Sequence, residues 1–286
     1  MRIGNVRGRP WLVTGTERGV DIHESSGGRL GPGFAELYDN WEQVVQWADS
    51  VQDEGVPFDH AQLGPPSPHP RQVFAVGLNY FDHVEEAGLA VPQEPSVFTK
   101  YVSSFAGAES TVELPQGSVD WEVEVVVIIA RTARRVAARD AWTYVAGLTV
   151  GQDLSERGLQ LTGAPAQYSL GKSFAGFGPT GPYLVSCDEF SDPGDLEMGC
   201  LVNGEPVQKA RTSGMIFPIS VLIEKLSQVT TLYPGDVIFT GTCAGVGAVR
   251  TPPRFLSPGD ELVSYIEGIG SIRQRFVAAA AEGGSA

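Results

Sequence analysis

The hydrophobic pattern divides the chain into a short mixed segment and a long segment dominated by strands. From Val73 onward, apolar runs rich in Val, Ile and Phe alternate with Gly and Pro turns, which is typical of β-strands. The predicted strands cover 73–78, 96–101, 122–130, 148–153, 181–186, 197–204, 236–242 and 261–270. In this segment, helical spacing is found at 138–147, 155–161 and 219–229. The pattern therefore predicts a β-rich, mixed α+β fold.

The first 54 residues form a different pattern, which predicts a small N-terminal α+β module. Two short strands, in RPWLVTG and RGVDIHES, precede a helix that Asp39 or Asn40 could cap. The apolar positions of that helix are Trp41, Val44, Val45, Ala48 and Val51. Residues 55–70 contain five prolines and are predicted to be a semi-rigid linker. Residues 278–286, AAAAEGGSA, are predicted to be a flexible tail.

Composition narrows the class of protein. The chain has 286 residues, 42% of them hydrophobic and 19% charged, and its net charge is −14. No basic cluster is present, which argues against nucleic acid and anionic membranes as partners. The three cysteines show no CxxC spacing, so neither a disulfide framework nor a zinc site is expected. With no apolar leader or membrane-length run in the sequence, we expect a cytoplasmic protein.

Three carboxylates are the strongest chemical signal. Glu122 and Glu124 stand two residues apart at the head of a Val- and Ile-rich run, so they share one side of a strand, roughly 7 Å apart along it. Like charges at a core edge are costly unless a cation lies between them. A hard divalent cation would fit, and Asp153 could supply a third oxygen. The alternative is a solvent-exposed edge strand, but the residues after Glu124 are apolar on both faces.

His83 and Glu86 are the second candidate pair. They are three residues apart in a short predicted helix, where a carboxylate can orient the imidazole as a general base. An ordinary exposed helix with one histidine is the alternative. Lys172, one of only four lysines, lies in an otherwise apolar segment and would need an anion beside it if buried.

Two further segments offer polar groups. Arg157 and Gln160 follow Asp153 at helical spacing, so Arg157 could pair with Asp153 or clamp a substrate carboxylate. The glycine-rich loop, residues 240–247, lacks the Lys-Ser/Thr of a phosphate-binding motif. A close approach of its backbone and of Thr242 to a ligand is the better interpretation. Cys243 has no basic neighbour in sequence that would activate it as a nucleophile.

These segments together resemble the fumarylacetoacetate hydrolase family. The matching motifs occur in the family's order across residues 71–277, which we take as a catalytic domain. They are VGLNYFDHVEE, P-x-x-F-x-K at 95–100, DWEVEVVVI, TVGQDLSERGLQ, GKSFAGFGPTGP, VNGEPVQ, MIF, LYPGDVIFTGT with AGVG, and FLSPGD. The resemblance implies a β-sandwich or β-roll around a metal site, usually in a homodimer.

The resemblance also implies a role for each candidate residue. The metal, Mg²⁺ or Mn²⁺ with Ca²⁺ as a possible substitute, would be bound by residues matching Glu122, Glu124 and Asp153. His83 and Glu86 match a water-activating dyad on a lid segment, and Lys172 matches a lysine that contacts metal-bound substrate. The remaining matches are substrate-binding groups: Arg157, Gln160 and Thr242.

The family resemblance leaves the reaction open. A small carboxylate substrate would bind the metal through keto and carboxylate oxygens, and a metal-stabilised enolate would serve several reactions. We expect C–C bond hydrolysis of acylpyruvate-like or other β-diketo acids; the alternative is a 2-oxo acid decarboxylase, isomerase or dehydratase on the same site. A silent binding protein would show damage to these residues, and none is visible. Four positions depart from the family pattern and suggest an unusual substrate preference: Glu156, Gly158, Gly214 and Cys243.

Overall fold

The computed structural model of the protein describes residues 1–279, in which strands outnumber helices. The strands are β1 (Arg2–Val6), β2 (Arg9–Gly15), β3 (Arg18–Asp21), β4 (Val56–Pro57), β5 (Leu63–Gly64), β6 (Val73–Gly77), β7 (Ser96–Phe98), β8 (Phe105–Ala106), β9 (Glu109–Leu114), β10 (Val119–Asp120), β11 (Val123–Ile129), β12 (Val145–Gln152), β13 (Ser155–Glu156), β14 (Gly178–Val185), β15 (Glu197–Val202), β16 (Glu205–Arg211), β17 (Val237–Thr242), β18 (Glu261–Ile266) and β19 (Gly270–Ala278). The α-helices are α1 (Ile22–Ser25), α2 (Phe34–Asp39), α3 (Trp41–Ala48), α4 (Phe81–Glu86), α5 (Arg157–Gln160), α6 (Tyr168–Gly171) and α7 (Ile219–Val229). The predicted β-rich, mixed α+β fold is confirmed.

Two large sheets organise the molecule. The first has twelve strands in the order β4-β3-β2-β1-β14-β12-β11-β17-β6-β7, with β5 on β1 and β8 on β14. The second has five strands in the order β16-β15-β18-β19-β9, and a two-stranded pair joins β10 to β13. Because β11 lies between β12 and β17 in the middle of the first sheet, the residues around its beginning are held on both sides.

Strand β11 shows how the core is divided. Val123, Val125 and Val127 face a cluster that includes residues of the second sheet. Val126 and Ile128 face a second cluster, which contains the N-terminal helices. Both faces of β11 are therefore covered, which explains why its apolar run is uninterrupted rather than alternating. Since side chains alternate along a strand, Glu124 belongs to the same face as Val126.

The N-terminal residues extend the first sheet. Strand β1 pairs antiparallel with β14, with Ile3 opposite Leu184. The proline-rich segment 55–70 contributes β4, which pairs with β3, and β5, which pairs with β1. The division into a module, a linker and a catalytic domain stays a prediction, but its parts share one sheet and one core. Of the predicted tail, residues 280–286 lie outside the described part of the chain.

Two predicted helices differ from the structure. Residues 138–147 begin as a 3-10 helix that ends at Tyr144, and the chain then enters β12 at Val145. Every residue of β12 is buried, so sheet formation prevails over the helical spacing of the sequence. Residues 155–161 begin with the short strand β13, and only Arg157–Gln160 is helical. Within residues 1–279, no helix has the length and apolarity needed to cross a membrane.

Candidate metal centre and active site

The three predicted carboxylates converge in the interior. Glu122 directly precedes β11, Glu124 lies within it, and Asp153 directly follows β12. The antiparallel register places Val123 opposite Gln152, and the amide of Asp153 donates to the carbonyl of Glu122 over 2.9 Å. One oxygen from each carboxylate lies within 4.8 Å of the other two, and all three residues are buried. The pairing of two central strands thus builds the cluster.

The donor set of this cluster fits a hard divalent cation. Burial raises the pKa of Glu124 well above its ordinary value, and the neighbouring charges of Asp153 and Glu122 raise it further. In the described part of the chain, the Glu124 carboxylate has one hydrogen bond, from the amide of Gly241 at 2.8 Å, and no ion pair. The cluster therefore offers three buried carboxylates, and the negative charge of Glu124 is not balanced by an ion pair within the described residues. Such a set matches the all-oxygen ligand sets of Mg²⁺ and Mn²⁺.

Lys172 connects two members of the cluster. Its Nζ donates to Oε2 of Glu122 over 2.7 Å and to Oδ2 of Asp153 over 2.6 Å. Burial on its own lowers the pKa of Lys172, but the two carboxylates outweigh it, so the pKa lies above its ordinary value. For Glu122, the effect of burial is outweighed by Lys172 and Arg157, which lower its pKa to about 2. The sequence-based expectation of an anion beside Lys172 is met by two carboxylates.

Arg157 has a different partner from the one that the sequence suggested. Asp153 is bonded by lysines, and Arg157 instead donates through Nε and Nη2 to Oδ2 of Asp120, over 3.0 and 2.7 Å. Its third nitrogen, Nη1, lies 2.7 Å from Oε1 of Glu122 and donates to Oε1 of Gln160 over 2.9 Å. Because β13 separates Asp153 from α5, the assumption that these residues share one helix was wrong. Arg157 and Gln160 nevertheless lie beside the carboxylate cluster.

Thr242 lies at the end of β17 with its hydroxyl engaged. The hydroxyl donates to the carbonyl of Val123 over 2.8 Å and accepts from Nε2 of Gln208 over 2.9 Å. Gln208 is buried, and it also accepts from the amide of Val123 and donates to the carbonyl of Cys243. In this arrangement the Thr242 side chain stabilises the start of β11, and its role in substrate binding stays a prediction.

His83 and Glu86 form a hydrogen-bonded pair on α4. Nδ1 of His83 lies 2.7 Å from Oε1 of Glu86, which directs the second ring nitrogen, Nε2, away from the carboxylate. The other oxygen of Glu86 accepts from the amide of Gly245 over 2.9 Å, so α4 is joined to the glycine-rich loop. The same loop donates the amide of Gly241 to Glu124, so it contacts both the pair and the carboxylate cluster. The arrangement leaves Nε2 of His83 available for proton transfer.

The structure shows what surrounds the four positions that depart from the family pattern, Glu156, Gly158, Gly214 and Cys243. Glu156 caps α5: its carboxylate accepts from the amides of Ser118, Gly158 and Leu159. A side chain at Gly214 would approach the ring of Tyr80 at 3.5 Å. Burial raises the pKa of the Cys243 thiol to about 12, which excludes an activated thiolate at neutral pH.

Two buried charged residues of the site were not identified as functional from the sequence. Lys100 donates from Nζ to Oδ1 of Asp153 over 2.7 Å. Asp120 accepts from Arg157 and from the amides of Gly247 and Ala248, so it joins the glycine-rich loop to the cluster. Both residues stand inside family motifs, the P-x-x-F-x-K and DWEVE segments, and their position there was the available signal.

Comparison with known proteins agrees with this architecture. The model of the fumarylacetoacetate (FAA) hydrolase C-terminal family matches residues 72–277. Human oxaloacetate tautomerase FAHD2A, mitochondrial, is 46% identical over 236 residues, covering 82% of this chain and 75% of that protein.

Two crystal structures extend the comparison to the whole fold. A Mycobacterium smegmatis protein provisionally called HpcE is 54% identical, with a TM-score of 0.93 and coverage of 98% of this chain and 100% of that one. Maleylpyruvate hydrolase from Sphingobium sp. SYK-6, in complex with manganese(II) and pyruvate, is 28% identical, with a TM-score of 0.81 and coverage of 98% and 100%. The chain therefore belongs to the fumarylacetoacetate hydrolase family, whose members include hydrolases, isomerases and tautomerases.

Proposed function

We propose that the protein is a divalent-metal-dependent enzyme that interconverts the enol and keto forms of a small 2-oxo dicarboxylic acid of the oxaloacetate kind. The observation that carries the proposal is the buried Glu122–Glu124–Asp153 cluster together with the His83–Glu86 pair, both of which are contacted by the loop at 241–245. Tautomerisation requires one Lewis acid and one proton shuttle, and these residues supply both. The 46% identity to a human oxaloacetate tautomerase supports this substrate class.

The metal would be held by Glu122, Glu124 and Asp153. A bound Mg²⁺ or Mn²⁺ would supply Lewis-acid polarisation of the substrate's 2-oxo group. Because all three ligands are anchored to two paired central strands, they are held in place before substrate arrives.

The protein's own groups account for the proton movement. Nε2 of His83 would take a proton from the carbon next to the 2-oxo group, and the 2-oxo oxygen gains a proton as the carbon–carbon double bond forms. Glu86 fixes the tautomer of the imidazole and stabilises its charged form. The Lys172 ammonium would stabilise negative charge that develops on the oxygen.

Hydrolysis of acylpyruvates is the second candidate. It is favoured by the same His83–Glu86 pair, which would deprotonate water instead of carbon, and by the resemblance to maleylpyruvate hydrolase. The sequence alone favoured this reaction, and the identity to the tautomerase changes the order of the two candidates. The homodimer stays a prediction.

The test compares two substrates with Mg²⁺ present. We expect the ultraviolet absorbance of enol-oxaloacetate to decay faster with the enzyme than in buffer, and acetylpyruvate to remain intact. Cleavage of acetylpyruvate to pyruvate and acetate, without accelerated tautomerisation, would identify a hydrolase. Pyruvate released from oxaloacetate faster than in Mg²⁺ buffer would identify a decarboxylase.

Two variants separate the metal from the proton shuttle. Glu124→Gln should lose Mn²⁺ binding and turnover together, because it removes a ligand. His83→Ala should lower turnover by about 10²–10⁴-fold while the Mn²⁺ affinity, measured by calorimetry, stays at the wild-type value. Wild-type turnover in His83→Ala would exclude the imidazole as the shuttle.

A further inference from the structure

A second lysine, Lys100, is buried against the carboxylate cluster. Its side chain has 0% exposure, and its Nζ donates to Oδ1 of Asp153 over 2.7 Å and to the main-chain carbonyl of Lys172. The ammonium also lies over the ring of Phe239, 5.8 Å from its centroid. Anion, carbonyl and aromatic face together offset part of the cost of burying the charge.

The surroundings of Lys100 keep it fixed. The amides on either side of it, those of Thr99 and Tyr101, donate to the hydroxyls of Ser169 and Ser173 over 3.3 and 3.0 Å. A Cβ at Gly178 would lie 3.1 Å from Cε of Lys100, so this glycine leaves room for the lysine stem. Segment 99–101 is therefore joined at three points to the segment that carries Lys172.

The two lysines divide the carboxylate of Asp153 between them. Lys100 takes Oδ1, and Lys172 lies against Oδ2 while it also contacts Glu122. Because Lys172 joins Oδ2 to Glu122, we take Oδ2 as the oxygen on the side of the cluster and Oδ1 as the oxygen that Lys100 holds. Rotation of the carboxylate to offer both oxygens would leave the Lys100 ammonium buried without its anion, which is strongly unfavourable.

We propose that Lys100 is a positioning residue that restricts Asp153 to one oxygen and so sets the metal preference of the site against Ca²⁺. Mg²⁺ requires a small octahedral set of single oxygens, whereas Ca²⁺ takes more oxygens and often both from one carboxylate. The inference rests on the metal site of the proposed function and goes beyond it. Lys100 is assigned a positioning role because its Nζ is held by Asp153 and by the main-chain carbonyl of Lys172.

The test measures cation binding by calorimetry on the full-length protein, with no substrate present. We expect wild type to bind Mg²⁺ more tightly than Ca²⁺, and Lys100→Met to weaken Mg²⁺ binding by about 10- to 100-fold. The ratio of Mg²⁺ to Ca²⁺ affinity should fall in the same variant, because Asp153 becomes free to offer both oxygens. Lys209→Met is the matched control, since that lysine is exposed on β16 and pairs with Glu197 at 3.2 Å.

The outcomes distinguish a failure of the proposed function from a failure of the inference about Lys100. If wild type binds no divalent cation, the proposed function fails and the inference fails with it. If wild type binds Mg²⁺ and Lys100→Met keeps both the affinity and the ratio, only the inference is overturned. Should Lys100→Met not fold, Lys100→Gln retains a neutral donor nitrogen and should lower the ratio of Mg²⁺ to Ca²⁺ affinity below the wild-type value, and an unchanged ratio would overturn the inference. Tighter binding of Ca²⁺ than Mg²⁺ by wild type overturns the inference without any variant.

Discussion

At the scale of single residues, Glu156 and Gly158 show how a local exchange is accommodated. Both positions depart from the family pattern. Glu156 caps α5 by accepting from the amides of Gly158 and Leu159, and it also accepts from the amide of Ser118. A Cβ added at Gly158 would lie 3.2 and 3.3 Å from the two oxygens of Glu156. A side chain at position 158 would therefore crowd the carboxylate of Glu156, which fits the glycine found there.

This dependence predicts non-additive stabilities. Glu156→Ala should cost about 1 kcal/mol through loss of the cap, and Gly158→Asp should cost a similar amount through repulsion between carboxylates. The double variant should be more stable than the sum of the single effects by about 0.5 kcal/mol or more. Urea unfolding of the four proteins measures the coupling, and strictly additive free energies would contradict it.

Some residues of the site could be predicted from the sequence and others could not. Glu122, Glu124 and Asp153 could be identified because charges are conspicuous at the ends of apolar strands. The partner of Arg157 could not, because Asp120 is distant in sequence and is brought close by the pairing of β10 with β13. Lys100 was hidden for the same reason, since 53 residues separate it from Asp153.

At the scale of elements, the sequence predicted β11 but not β9. Strand β11 is apolar on both faces, whereas β9 is mostly polar and pairs in parallel with β19. Parallel pairing between distant segments leaves no local signal such as a tight turn. In the same way, RGVDIHES was predicted as one strand, but the strand ends at Asp21, where α1 begins.

Asp21 secures this change from strand to helix, which leads to a pH-dependent prediction. It caps α1 through the amide of Glu24 and pairs with Arg9 of β2 over 2.5 and 2.9 Å. Burial raises its pKa, but the hydrogen bonds, chiefly from Arg9, outweigh this and hold the pKa below its ordinary value. The stabilisation is therefore complete above the pKa of the unfolded chain, and it is lost as pH falls through the lower pKa of the folded state.

Asp21→Asn isolates that contribution, because asparagine still caps a helix but carries no charge. We expect the variant to be less stable than wild type at pH 7 by about 1 kcal/mol or more, with the difference shrinking toward zero in acid. Denaturant unfolding from pH 7 to pH 3 measures both curves. A difference that stays constant down to pH 3 would show that the charge of Asp21 is not the cause.

At the scale of the whole molecule, the N-terminal residues complete the main sheet. Strand β1 covers the edge of β14, and α2 and α3 cover the face of the sheet that carries Val126, Ile128 and Phe239. The sequence suggested a separate module because its prolines cluster at 55–70, yet two short strands inside that segment pair with the sheet. Pro57, the one proline in these two strands, lies in the edge strand β4, where a residue without an N–H group is tolerated.

A chain that begins at residue 71 tests this dependence. Its β14 would lose a neighbour and one face of the sheet would lose its apolar cover, so we expect aggregation and no cooperative unfolding transition. The full-length protein is the control, with both chains followed by circular dichroism in urea. A cooperative transition of the short chain near the wild-type midpoint would instead establish residues 1–70 as an independent addition.

The carboxylate of Glu86 serves two places at once, with one oxygen on the imidazole of His83 and the other on the amide of Gly245. Losing this side chain would therefore produce two separate defects, a misoriented base and an undocked helix. A second mutation elsewhere could restore one of them but not both. In a genetic selection, we expect Glu86→Ala to yield true revertants to an acidic residue and no single-step suppressors at other positions.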